Sequence, residues 1–95
     1  MIDLDLKYLD FIKDTMQSQL HDCKLYIFGS RVKGTSKQYS DIDIAIDSSE
    51  LTPQKKSQLM YMFENSTLPY EVDIIDLRNV SKKFFENIKD DLVLI

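Results

Sequence analysis

One cysteine, one histidine, two glycines and two prolines among 95 residues exclude several kinds of chemistry. Cys23 alone cannot form an internal disulfide and reads as a small buried residue at the edge of a strand. His21 alone cannot supply a histidine-based metal centre and reads as an exposed residue at the end of the first helix. Gly29 and Gly34 alone cannot supply a Gly-x-Gly-x-x-Gly fingerprint, and no Gly-Lys-Ser/Thr is present to make a Walker A loop, since Thr35 follows Gly34. No apolar run approaches the roughly 20 residues that span a bilayer. Met1-Ile2-Asp3-Leu4-Asp5 is too acidic for a signal peptide, so the cytoplasm is the expected location. The net charge of −4 argues against broad binding to DNA or RNA, which needs a basic face.

What is present reads as one domain over residues 1–95, since a chain of this length has little room for a second core. Leu9, Ile12, Met16 and Leu20 recur at helical spacing and predict an amphipathic helix from Leu4 to Leu20. Lys24 to Phe28 is a β-rich run stopped by Gly29. Ser30 to Gly34 reads as a turn or short helix and Thr35 to Tyr39 as a polar loop. From Asp41 to Asp47 the pattern alternates, with Ile42, Ile44 and Ile46 on one face and Asp41, Asp43 and Ala45 on the other.

Thr52-Pro53 starts a helix, with Leu59, Met60, Met62 and Phe63 on its apolar face and Asn65, Ser66 and Pro69 beyond its end. Tyr70 to Leu77 reads as a third strand. Ser81 caps a last helix whose apolar positions are Phe84, Phe85, Ile88 and Leu92, with the two phenylalanines expected in the core. The tail Leu92-Val93-Leu94-Ile95 has no evident partner. The order predicts an α/β domain: a mixed sheet of about three strands or slightly more, packed by helices. The first two strands should be antiparallel, and the second and third parallel through a helical crossover.

Chemistry concentrates in Gly29-Ser30, ten intervening residues, then Asp41-Ile42-Asp43. Carboxylates two apart on a strand leave the same face and can converge on one site. They repel one another unless a cation joins them, and hard oxygen donors suit Mg²⁺. Asp73, in Glu71-Val72-Asp73-Ile74-Ile75-Asp76, can stand beside that pair if the third strand neighbours the second, whereas Asp76 has the opposite parity. Three such carboxylates can hold two metals roughly 3.5–4 Å apart for in-line displacement at phosphorus. At the other end, Gly29 lets a phosphate approach the backbone and the Ser30 hydroxyl can bond it. Arg31 or Lys33 can add charge, and with Lys37 they form a basic patch inside an acidic chain.

This composite resembles the polymerase-β-type nucleotidyltransferase superfamily, and Gly29-Ser30-Arg31-Val32-Lys33-Gly34 followed by Ser40-Asp41-Ile42-Asp43-Ile44 resembles its minimal nucleotidyltransferases. The resemblance covers roughly Leu25 to Leu77. It implies the nucleotidyltransferase fold, Mg²⁺ as two ions, and ATP as substrate. Many such proteins are antitoxins paired with a helical HEPN-domain ribonuclease toxin and add AMP to a tyrosine hydroxyl of that toxin. By the resemblance Gly29 and Ser30 hold triphosphate, Asp41 and Asp43 hold metal, and Asp73 completes the site and helps deprotonate the nucleophile. The larger relatives' added helical domain does not fit in this length, so a partner is expected to complete the pocket. The C-terminal apolar segment is a further candidate contact for a homo- or hetero-oligomer.

Two other readings stand beside this one. The chain could be a non-catalytic binding module that neutralises its partner by contact. Transfer to a small molecule is disfavoured, because it needs an acceptor domain. Taken singly, Gly29-Ser30 is a turn, Asp41-Ile42-Asp43 is the solvated face of a strand, and Arg31, Lys33 and Lys37 are loop charges.

Overall fold

A computed structural model describes residues 2–95. Its helices begin where the sequence supplies a side-chain oxygen for an otherwise unpaired N–H. Helix α1 spans Leu6–Gln19, starting two residues later than Leu4 because Asp5 accepts the Lys7 N–H at 3.0 Å. Helix α3 spans Pro53–Glu64, capped by the Thr52 hydroxyl accepting from the Lys55 N–H at 3.1 Å. Helix α4 spans Lys82–Ile88, capped by Ser81 through the Phe84 N–H. Between them lie β1 (Lys24–Phe28), the one-turn α2 (Ser30–Lys33), β2 (Ile42–Asp47) and β3 (Val72–Asp76).

The strands form one mixed sheet in the order β3-β2-β1-β4, where β4 is Val93–Leu94. β1 runs antiparallel to β2, and β2 runs parallel to β3 through α3, both as the connection lengths predict. The fourth strand is the apolar tail. It pairs antiparallel with β1, setting Tyr26 opposite Leu94 and Ile27 opposite Val93, and the Ile95 N–H donates to the Leu25 carbonyl. The segment held in reserve for an oligomer contact therefore spends its backbone groups inside its own chain.

Alternation along the strands divides the molecule into two layers. Leu25, Ile27, Ile42, Ile44, Ile46, Val72 and Ile74 pack with Ile12, Met16 and Leu20 of the first helical segment and Leu59 and Phe63 of α3 in the main core. On the other face, Phe28 and Ala45 pack with Ile88 of α4 in a smaller cluster. Phe84 and Phe85 depart from expectation: α4 is only seven residues long and buries Ile88, leaving these rings 37% and 38% exposed. Cys23 is half-buried rather than buried. Burial first, then the charges of Glu50 and Asp22, raise its thiol pKa and keep it protonated and unreactive. The small cluster covers only part of its face. Asp43 precedes Ala45 on that face, where the cover ends.

Candidate active site

Three strand ends meet here. β1 runs out at Phe28, which is paired with Asp43 near the start of β2, and β3 begins alongside β2 in parallel. That register sets Asp43 directly opposite Asp73. Neighbouring strands lie about 4.8 Å apart, so the two carboxylates share one face at close quarters. Asp41, two residues before Asp43, has the same parity and is exposed just ahead of the strand. Burial, then the charges of Asp73 and Asp41, push the Asp43 pKa up from the usual carboxylate value. A cation reverses that cost.

Among the described residues no three His, Cys, Asp or Glu side chains already form a closed metal cage. The donor set nonetheless fits Mg²⁺, which takes one or two carboxylates and leaves its remaining positions to water and phosphate. The mutual repulsion recorded in Asp43 is what a bound cation would relieve.

Gly29 touches this cluster directly. Its φ is +80°, a conformation that side chains rarely adopt, and a Cβ built there would lie 2.2 Å from Asp43 Oδ2. Glycine at this position thus gives the carboxylate its place, in addition to admitting a ligand to the backbone. Ser30 follows, half-buried at the first position of α2. Lys33, in the same turn, pairs at 3.2 Å with Asp91 of the single 3₁₀ turn Lys89–Asp91. Lys33 is exposed and Asp91 partly so, and such a pair at the surface contributes little, so the ammonium can exchange partners at small cost.

Arg31 is not where a phosphate ligand belongs. It is 4% exposed, and its guanidinium is committed to the protein. Nη1 donates to the Asp3 carbonyl at 3.0 Å, and Nη2 donates to the carbonyls of Ser40 at 2.8 Å and Gln38 at 3.5 Å. The guanidinium carbon lies 4.4 Å from the centre of the Tyr70 ring. Nε is buried without a partner among the described residues. Arg31 therefore ties the Gly29-Ser30 turn to the residue before Asp41 and to the approach of β3. In this arrangement its Nη donors are spent on the chain's own carbonyls.

Removing this guanidinium leaves carbonyls without their donor and Tyr70 without its stacking partner. Arg31→Ala is expected to lower stability by ~3 kcal/mol in urea unfolding, and Arg31→Lys to recover less than half of that, since a point charge cannot fork between two carbonyls.

Sequence reasoning missed Tyr70 and Ser40 as parts of the site. Ser40 stands in the Asp41-Ile42-Asp43 motif but acts through its backbone carbonyl, which residue type does not mark, and Tyr70 acts through Arg31, far away in the chain.

Beside Asp41 and Asp73, on the β3 side, lies a groove of about 580 Å³. Its walls come from the end of α3 and the segment leading into β3: Met60, Phe63, Leu68 and Tyr70, with Glu64 and Glu71 among its acidic residues. No helix among the described residues is long and apolar enough to cross a membrane.

Comparison with known proteins agrees with this geometry. The chain is 38% identical, over 99% of its length and 83% of the other's, to the probable protein adenylyltransferase MntA of Haemophilus influenzae. Its fold matches a toxin–antitoxin crystal structure with AMP-PNP, at a TM-score of 0.77 and 26% identity, over 90% of this chain and 69% of that one. It also matches a chain from the Shewanella oneidensis complex of tri-AMPylated HEPN toxin with MNT antitoxin. That match has a TM-score of 0.68 and 24% identity, over 90% and 66% of the two chains, and is a likeness of fold alone. Residues 11–95 match the family described as polymerase beta, nucleotidyltransferase. With the carboxylates, the glycine turn and the mixed sheet in place, the chain belongs to the polymerase beta nucleotidyltransferase family.

Proposed function

We propose that this chain is a magnesium-dependent adenylyltransferase that moves AMP from ATP to a hydroxyl, that of a tyrosine, on a helical HEPN toxin, and so serves as the antitoxin of the pair. The observation that carries this reading is Asp43 opposite Asp73 in one register, with Asp41 two residues away and Gly29 leaving room for the Asp43 carboxylate. The MntA relative, which is named a probable protein adenylyltransferase, and the AMP-PNP-bound neighbour support it.

Asp41, Asp43 and Asp73 would hold the magnesium, as two ions. When bound, the metal neutralises the crowded carboxylates and screens the triphosphate against the incoming oxygen. The chain's own residues do the rest. Gly29 and Ser30 receive the triphosphate, and Lys33 adds its charge by leaving Asp91. Arg31 keeps the segments in register without touching the nucleotide. Asp73 is the acceptor-side carboxylate and takes part in drawing off the hydroxyl proton. Residues 1–95 act as one minimal nucleotidyltransferase domain in the cytoplasm, with the toxin completing the acceptor pocket.

The test uses ATP labelled in its α-phosphate, magnesium and the cognate toxin. Label should appear on the toxin, and replacing the modified tyrosine by phenylalanine should abolish it. A toxin that is neutralised yet carries no label would leave the contact-only antitoxin as the correct reading.

A further inference from the structure

The groove beside the carboxylates differs in character from the glycine turn. In the strand order β3-β2-β1, Gly29 and Ser30 lie on the β1 side of Asp43, and the groove lies on the β3 side. Four of its lining residues are carboxylates (Asp41, Glu64, Glu71 and Asp73) and none of the others is basic. Its remaining surface is apolar and aromatic, from Met60, Phe63, Leu68, Pro69, Tyr70 and Val72. With Asp41 and Asp73 given to the metal, the uncompensated charge is that of Glu64 and Glu71, which a triphosphate or a polynucleotide would meet as like charge. What this surface complements is a cationic segment with an aromatic or aliphatic residue to lay against the walls.

Reaction geometry points the same way. In-line displacement puts the attacking oxygen and the leaving oxygen on opposite sides of the phosphorus. With pyrophosphate held on the Gly29-Ser30 side, the acceptor must arrive from the β3 side, where the groove opens. The hydroxyl oxygen bonds to the α-phosphorus as the bond from that phosphorus to the bridging oxygen of the β-phosphate breaks. Pyrophosphate departs with the electron pair, and the hydroxyl proton passes to a carboxylate at the mouth.

Resting on the transferase reading above, we infer that this groove is the acceptor-docking site, and that Glu64 and Glu71 select a basic segment of the toxin that flanks the modified hydroxyl. Both glutamates are exposed and lie outside the carboxylate trio. Glu64 ends α3, where a lysine is favourable to the helix.

The decisive variant is Glu64→Lys/Glu71→Lys in the full chain. Its KM for the toxin should rise ~10-fold or more at low salt, with kcat and the binding of Mg²⁺·AMP-PNP unchanged, and the effect should shrink as salt is added. A fluorescein-labelled Arg-Lys-Tyr-Arg-Lys peptide should bind the wild type in anisotropy titrations, the Glu-Glu-Tyr-Glu-Glu peptide should not, and the variant should lose the distinction. Weakened AMP-PNP binding with unchanged toxin KM would assign the groove to the nucleotide and overturn the inference. So would transfer at an unaltered toxin KM, which leaves the transferase reading standing. Charge-selective peptide binding without any AMP on the toxin would leave the groove standing and remove the transferase reading.

Discussion

Asp43→Asn is expected to yield a protein that melts at higher temperature without magnesium and transfers AMP at least ~10³-fold more slowly. Both effects follow from one carboxylate. In the metal-free fold Asp43 is partly desolvated and faces Asp73 and Asp41, so its ionised form is disfavoured. Asparagine keeps the shape and removes the charge, which should raise the melting temperature by a few degrees.

The sign can be checked against pH. A carboxyl whose pKa is raised by folding favours the folded state when protonated and loses that contribution as pH rises through the raised value. The stability gap between Asp43→Asn and wild type should therefore be widest near neutral pH and close as the solution is acidified. Magnesium should reverse the order, stabilising the wild type and leaving the variant unmoved. Thermal melts across pH, with and without magnesium, read all three outcomes. A variant less stable than wild type in the absence of metal would show that Asp43 is a structural residue.

Gly29→Ala should be nearly as damaging to transfer, by a different route. The added methyl meets the Asp43 carboxylate at 2.2 Å, so the carboxylate or the turn must move. A displacement near 1 Å in a reacting site costs on the order of 100-fold in rate. The positive φ adds a backbone penalty of ~1–2 kcal/mol, which in a domain of this size lowers the melting temperature by ~5–10 °C. Gly34→Ala separates the two causes. Gly34 has a φ of +76° but nothing within 4 Å of its absent Cβ. It should show the thermal loss and retain transfer. Equal loss of transfer in both variants would mean that strain in the turn, and not room for Asp43, is what the first glycine supplies.

The parts of this molecule that could be read in advance are those governed by period and parity. Ile42, Ile44 and Ile46 alternate with Asp43 and Ala45, and that alone assigns the face on which a metal could sit. The link from β2 to β3 is long enough for a helix, so a parallel pairing followed, and with it the meeting of Asp43 and Asp73. The tail was illegible because Val93–Leu94 is too short to show alternation and gains its identity only from β1. Phe84 and Phe85 were misplaced because hydrophobicity says nothing about how little sheet remains for a seven-residue helix to cover. The inward turn of Arg31 was illegible for a deeper reason. An arginine beside Gly-Ser looks like a phosphate ligand, and only the arrival of Asp3 and Tyr70 from distant segments, with Ser40 across the loop, turns it inward.

That inward turn has a dynamic corollary. The strands on which Asp43 and Asp73 stand are held by ladders, and the segments leading into them are loops tied to one another, as where the Ile42 N–H donates to the Glu71 carbonyl. A single planar cation crosslinks three of these approaches at once. Loosening one approach therefore weakens a tie shared with the other two. Such shared ties favour opening of the site as one cooperative patch within a small domain.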